Sequence, residues 1–304
     1  MEANQETSHE HHHSKSDWYD KWYKPLLVIP VIIMILCLAY IGFFYSEHHT
    51  IMLRDSSLTG GTTITITGGN IDTVSLGSQL KAQFPDVIIR KLTDIRTGKP
   101  VSVMIESSAT PEQLKPALEK VLGFSLTDQN SSTEFTGSSL SQSFYAQLMI
   151  ALVISFILMS FVVFISFRTF VPSMAIIFAA FGDIVIPLAI IDFFGVRISA
   201  AGIAAFLMLI GYSVDTDVLL TTRALKRKGG TLNSRIYGAF KTGTLMTTTA
   251  LVAVLPSFFI VTALPDSFRQ IFFILALGLF ADIFNTWLTN ASIIKWYCTR
   301  RRIE

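Results

Sequence analysis

The sequence predicts a membrane α-helical bundle of six transmembrane helices, with one extracytoplasmic α+β domain between helices 1 and 2. Three observations predict it. Hydrophobic residues make up 51% of the 304-residue chain and charged residues only 15%, more apolar than a soluble globular domain usually is. Six runs reach the roughly 20 residues that a helix needs to cross a hydrocarbon core of roughly 30 Å. Between the first two runs, over residues 46–143, the pattern changes to short alternating segments broken by Gly, Pro and Asp.

Residues 1–25 read as a cytoplasmic tail. Its cluster His9 to His13 carries metal-ligand chemistry but no second ligand group, and reads as a disordered or tag-like stretch. Leu26 to Tyr45 is uncharged and is span 1. It is longer than a signal-peptide core and lacks a small-x-small cleavage site, so it is read as a retained helix. In the external segment, the turn at Gly60 and Gly61 precedes "TTITIT", Thr62 to Thr67, an alternating strand. Leu76 to Phe84 reads as a helix. Val87 to Leu92 and Val101 to Glu106 read as strands around the turn "RTGK", and Pro111 to Leu122 as a helix opened by Thr110 and Pro111. A last strand is expected near Thr133 to Thr136, which completes the order of a ferredoxin-like unit. Asn130-Ser131-Ser132 is a glycosylation sequon in that segment.

Residues 144–294 hold spans 2 to 6, at about 146–167, 170–191, 198–222, 242–264 and 271–294, and residues 295–304 form a second cytoplasmic tail. Lys and Arg set the orientation. They gather before span 1, at Arg168, between spans 4 and 5, and after span 6, whereas the opposite loops of the bundle offer only Arg197 and Arg269. Both termini are therefore expected in the cytoplasm. The net charge of +2 goes with topology and gives no nucleic-acid surface. Cys37 lies within a span and Cys298 at a cytoplasmic end, a placement that argues against a disulfide. No metal cluster, nucleophile elbow or phosphate loop is legible, so no cofactor, no metal and no enzymatic activity are expected.

The chemistry lies in the carboxyls. Asp183, Asp215, Asp217 and Asp282 fall inside spans 3, 4 and 6. Each costs about 2.5 to 3.5 kcal/mol at a helix centre, roughly 10 kcal/mol together. Protonation is the least expensive compensation, because a carboxyl held away from water is better tolerated neutral than ionised. These residues are accordingly candidates for proton coupling. Asp215 and Asp217 are turned about 200° apart on one helix, so they cannot share a face. Asp215 runs along the line of Gly211, Val218 and Thr222, and a face with Gly211 admits a close neighbour. Asp217 is followed one turn later by Thr221. Asp282 heads a polar stripe of Asn285, Thr286 and Thr289. In span 5, "KTGTLMTTT", Lys241 to Thr249, offers hydroxyls that either relay protons or bond the preceding turn.

Four stretches carry a family resemblance: "LTGGTTITI" at the start of the external domain, "GSSLS" before span 2, "IGYSVDTDVLLTTRALKR" in span 4 and "LGLFADIFNTWLTN" in span 6. Together they resemble SecF, the smaller membrane subunit of the SecDF protein-export factor, in its archaeal form, over all but the first 16 or so residues. The resemblance implies a membrane fold of the resistance-nodulation-division superfamily in the cell membrane. It also implies SecD and a SecY-type channel as partners, a translocating polypeptide and protons as cargo, contact with lipid, and no nucleic acid. Gly211, Tyr212 and Ser213 match the family's span 4 motif, and Arg223 matches the Arg that closes it. The bacterial SecF pattern has its acidic residue where this chain has Thr216. "VDTDVL" is similar instead to the SecD form of the motif, whose acidic residue coincides with Asp215. Asp215 is thus the first choice for the proton carrier, ahead of Asp217, Asp183 and Asp282. Lys241 with Thr242, then Thr248 and Thr249, follow the span 5 pattern, with a Lys where the bacterial pattern has Arg.

Rival readings are an intramembrane aspartyl protease, a small-molecule exporter of the same superfamily, and a non-transporting assembly scaffold. The protease reading lacks the Pro-Ala-Leu segment and the layout of such enzymes. The exporter reading expects two six-span halves. The scaffold reading expects no dependence on pH or potential.

Overall fold

The computed structural model describes residues 13–68, 71–93, 100–227, 229–260 and 266–303. The expected turn "RTGK", most of the His9 to His13 cluster and the end of the expected fifth span lie outside those residues.

Among the described residues, six helices are long and apolar enough to cross a membrane. The first, α1 (His13–His48), carries Pro25 and Pro30. Proline is tolerated in such helices because neighbouring groups satisfy the freed carbonyls. A short α2 (Ser56–Thr59) follows, capped by Asp55, whose carboxylate accepts from the Ser57 amide at 3.0 Å and its hydroxyl at 2.6 Å.

Four strands and two helices come next: β1 (Gly61–Thr67), α3 (Thr73–Lys81), β2 (Ile88–Thr93), β3 (Pro100–Ser107), α4 (Pro111–Leu122) and β4 (Ser131–Thr136). All neighbours in the sheet are antiparallel, in the order β2-β3-β1-β4. The alternation of "TTITIT" has a direct result. Ile64 and Ile66 point to one face, where they join Val103, Ile105, Leu80, Leu114 and Leu118 in a dry core under α3 and α4. The first of these helices starts three residues before the sequence reading places it, because the Asp72 carboxylate caps it, accepting from the amides of Val74 and Ser75. Helix α4 begins at Pro111 and stops where Gly123 turns left-handed at φ 76°.

The long helices are α5 (Ser138–Phe167), α6 (Phe170–Phe193), α7 (Ala200–Lys226), α8 (Leu232–Ile260), α9 (Asp266–Phe284) and α10 (Ala291–Arg301), the last two joined by a π-helical turn, Asn285–Asn290. Of "GSSLS", Gly137 is extended at the N-cap position, and Ser138 to Ser141 are the start of the helix, with Ser141 buried. Helix α7 is central, packing against α5, α6, α8 and α9.

Backbone hydrogen bonds stitch the domain's entry segment to the α6–α7 loop. Ile198 N donates to Leu53 O at 2.7 Å, Asp55 N to Ile198 O at 3.1 Å, and Ala200 N to Ser57 Oγ at 3.1 Å. The Ser199 amide and hydroxyl both donate to Gln270 Oε1, at 2.7 and 2.6 Å, and Gln270 Nε2 donates to Arg197 O. Gly60 and Gly61 sit where α2, β1 and the start of α5 cross. A Cβ on Gly60 would strike the backbone of Ser138 and one on Gly61 the carbonyl of Ser107, and both residues have positive φ, 84° and 133°.

Two outcomes follow. Gly61→Ala is expected to cost about 1 to 3 kcal/mol through forced strain, read as a lower unfolding temperature of the detergent-solubilised chain. Burial pushes the Asp55 carboxyl up to about 6 against the hydrogen bonds from Ser57. A raised carboxyl makes the ionised form disfavour the fold, so this group's contribution to stability improves as pH drops through about 6 toward its unfolded value of about 4. Asp55→Asn keeps a capping side chain and is expected to flatten that part of the stability-versus-pH curve.

Candidate functional site

Asp183 of α6, Asp217 of α7 and Asp282 of α9 are all buried, at 0%, 0% and 1% exposure. They converge in the middle of the bundle on donors from the π-helical turn and from α7 and α8. Asn285 Nδ2 donates to Asp183 Oδ1 at 2.6 Å, and the Ser213 hydroxyl bonds the other oxygen of Asp183. Asn290 Nδ2 donates to Asp217 Oδ1 at 2.7 Å. Thr247 Oγ1 lies 3.3 Å from Gly243 O and 3.2 Å from Asp282 Oδ2.

One hydroxyl is shared by two carboxyls. Thr286 Oγ1 is 2.9 Å from Asp217 Oδ1 and 3.1 Å from Asp282 Oδ1. A hydroxyl has a single hydrogen and otherwise only accepts. One hydrogen serves both carboxyls only as a weaker three-centre bond, whereas a protonated carboxyl that donates to Thr286 makes both contacts full hydrogen bonds. Every neighbour bonded to the three carboxyls is neutral, and none of them has an ion-pair partner among the described residues. The arrangement is suited to holding a shared proton, since a charge in this setting has nothing to balance it.

The packing that permits this is tight. A Cβ on Gly182 would meet Asn285 Nδ2 and Met34 Cε of α1, each at 2.6 Å, so the glycine beside Asp183 lets both neighbours close on α6. The π turn widens the helix where Asn285, Thr286 and Asn290 must all face inward, a placement that a regular helix does not give them. Around the cluster, Asp217 Oδ2, Thr221 Oγ1, Thr289 Oγ1 and Asn290 Oδ1 are buried without a protein partner. No group of His, Cys, Asp and Glu positioned to hold a metal ion is found among the described residues.

Asp215 lies elsewhere. It is exposed on α7, as are Gly211 and Tyr212, and open space surrounds the Cβ position of Gly211. Lys241 is exposed on α8 and is not ion-paired with Asp215. Within the chain the two do not meet: both side chains are exposed on the outside of the bundle. Thr248 is exposed too, and Thr249 bonds the carbonyls of Leu245 and Met246 at 2.9 and 2.7 Å. The hydroxyl that reaches the carboxyls from this segment is Thr247. Ser213 bonds Asp183, and Arg223 Nη1 ties α7 to α8 by donating to Gly238 O at 2.6 Å and Thr242 Oγ1 at 3.0 Å. Sequence reasoning also passed over Lys295. It is 2% exposed, paired with Asp20, and 4.1 Å from the Tyr19 ring centroid, clamping α1 to α10.

Residues 116–300 match the family described as "Protein export membrane protein SecD/SecF, C-terminal". The protein-export membrane protein SecF of Methanocaldococcus jannaschii is 36% identical over 292 residues, 93% of this chain and 99% of that one. The chain belongs to the SecF family of protein-export membrane proteins. The SecF proteins of Pyrococcus furiosus, 35% identical over 91% of this chain and 90% of its own length, and Methanolacinia petrolearia, 34% identical over 90% and 93%, stand beside it. Among solved structures, SecDF of Thermus thermophilus, described as a translocon-associated membrane protein, shares the fold. Its TM-score is 0.71 at 16% identity, and the match covers 92% of this chain and 38% of that one. A SecDF crystal structure in a super-membrane-facing form matches at a TM-score of 0.52 and 17% identity, over 93% of this chain and 39% of its own length.

Thr286→Val keeps the shape and removes the shared hydroxyl, leaving two buried carboxyls short of a partner. It is expected to cost about 1 to 3 kcal/mol, measured as a loss of unfolding temperature in detergent, with Thr286→Ser restoring most of it.

Proposed function

We propose that this SecF-family chain couples the proton-motive force to polypeptide export, in a complex with SecD beside a SecY-type channel. Asp183, Asp217 and Asp282, rather than the Asp215 favoured from sequence alone, carry the proton in this reading. The single hydrogen of Thr286 between Asp217 and Asp282 is the observation that carries it. Adding or removing one proton changes which of these contacts can form, and so changes which packing of α7 against α9 is favoured.

Helix α7 then links the cluster to the external domain. It bears Ser213 and Asp217, and its start is bonded to the domain's entry segment through Ala200 to Ser57 and through the preceding Ile198 to Leu53 and Asp55. The domain, read as a ferredoxin-like unit outside the membrane with both termini in the cytoplasm, moves with α7 and biases the emerging polypeptide outward. The distribution of Lys and Arg supports that orientation. The energy per proton is about 2.3 kcal/mol per 100 mV plus about 1.4 kcal/mol per pH unit, enough for a ratchet against backsliding. Gly211, Tyr212 and Asp215 form an open strip on α7 that suits a closely packed helix of SecD, and Lys241 stands exposed on α8.

In vesicles holding the chain, SecD and the channel, Asp217→Asn and Asp183→Asn are expected to abolish the part of translocation that responds to an imposed proton gradient while the complex still assembles. Asp215→Asn is expected to weaken co-purification with SecD instead. Gradient dependence lost with Asp215→Asn alone would return the proton to the open face of α7 and remove this assignment.

A further inference from the structure

Arg197 and Arg269 are the cations that the bundle's loops carry on the side of the sheet domain, against the tendency of Lys and Arg to gather at the opposite face. The fold brings them together. They line one cavity of about 380 Å³ between β2, the α6–α7 loop and the first turns of α9, with Arg90 of the sheet domain on its wall. That volume falls within the roughly 300–1,000 Å³ usual for small-molecule sites.

The cations are presented for use. Arg269 stacks on Phe258, 4.9 Å from the ring centroid, and its Nε is buried without a protein acceptor. The Arg197 guanidinium has no carboxylate partner among the described residues. A buried N–H without an acceptor is costly, and a guanidinium fork matches the tetrahedral oxygens of a phosphate better than any single-point anion. The lining holds Arg90, Arg197 and Arg269 and one carboxyl, Asp55, and Arg90 is itself paired with Glu106 at 3.8 Å. Val196, Phe258 and Phe273 supply an apolar wall beneath them, so the cavity offers a charged rim and a greasy floor.

We infer that this cavity binds a phosphate group through Arg197 and Arg269. Two sources share this chemistry, free phosphate and a membrane lipid headgroup, and for the second the apolar wall fits the first carbons of the ester. A bound anion adds negative charge beside Asp55, whose burial already favours its neutral form. Glu106 and Arg90 are the charges that act on it, and Arg197 and Arg269 line the same cavity. Binding therefore tightens as pH falls through about 6, and Asp55→Asn removes that step.

The test titrates the full chain in detergent with dihexanoyl-phosphatidylglycerol, inorganic phosphate and hexa-aspartate by calorimetry. Saturable binding of the lipid or of phosphate, weakened at least tenfold in Arg197→Gln/Arg269→Gln and unchanged in Arg168→Gln, is the expected result. Lipid binding at least tenfold tighter than phosphate identifies the headgroup as the source, and comparable binding identifies free phosphate. The Arg197→Lys/Arg269→Lys variant retains charge without the fork and is expected to lose a smaller part, which separates recognition from misfolding. Equal binding by the native chain and the Gln variant with its unfolding temperature unchanged, absence of saturable binding to the native chain, or preference for hexa-aspartate overturns the inference, the last assigning the cavity to acidic stretches of a polypeptide.

Discussion

A hydroxyl has one hydrogen, and at Thr286 two carboxyls claim it. The helical arrangement is built to create that situation and then to tolerate it. Helices α6, α7 and α9 each contribute a buried carboxyl, and among the described residues only Ser, Thr and Asn bond them. A Lys or Arg placed there would fix the carboxyls as permanent ions. Neutral donors leave the number of protons adjustable, because hydroxyls accept as readily as they donate. The bundle centre is thus held by neutral hydrogen bonds rather than by a fixed ion pair.

The two ends of the bundle are fastened differently. On the sheet side, the bonds among Leu53, Asp55, Ser57, Ile198 and Ala200 join the domain's entry to the first turn of α7. Thirteen residues on, about 20 Å along the helix, Ser213 meets Asp183. A rotation or slide of α7 is felt at both places, since a helix transmits displacement along its axis with little loss. On the opposite side, buried Lys295 sits among Asp20, Asn233, Tyr19 and Tyr23 and holds α1 against α10. A buried ammonium so enclosed resists separation of those helices, because parting them strands its charge.

Much of the fold was legible because its signals are local. Uncharged runs mark spans, alternation marks β1, and Thr110, Pro111 and Gly123 mark the ends of α4. The candidate site was half legible. A polar stripe at Asn285, Thr286 and Thr289 and the costs of Asp183 and Asp282 pointed inward, and the opposite faces of Asp215 and Asp217 followed from helix geometry. Which face turned inward did not, because motif likeness favoured Asp215, whereas the side that packs is decided by neighbours on α6, on α9 and in the π turn after it. Thr247 was hidden among adjacent threonines for the same reason. Arg197 and Arg269 lie 72 positions apart, and only tertiary structure gives them a common cavity.

The π-helical turn at Asn285–Asn290 works as a phase shifter. One wide turn is equivalent to an inserted residue, and the helix beyond it is advanced by about 100° relative to an uninterrupted one. The carboxyl end and the Lys295 end of this helix are consequently set in angle by separate constraints. Tightening the turn to an ordinary α-helix while the cluster stays in place would swing Lys295 about a quarter of a circle out of its aromatic enclosure. The turn is a point at which the angular setting at one membrane surface can change without disturbing the setting at the other.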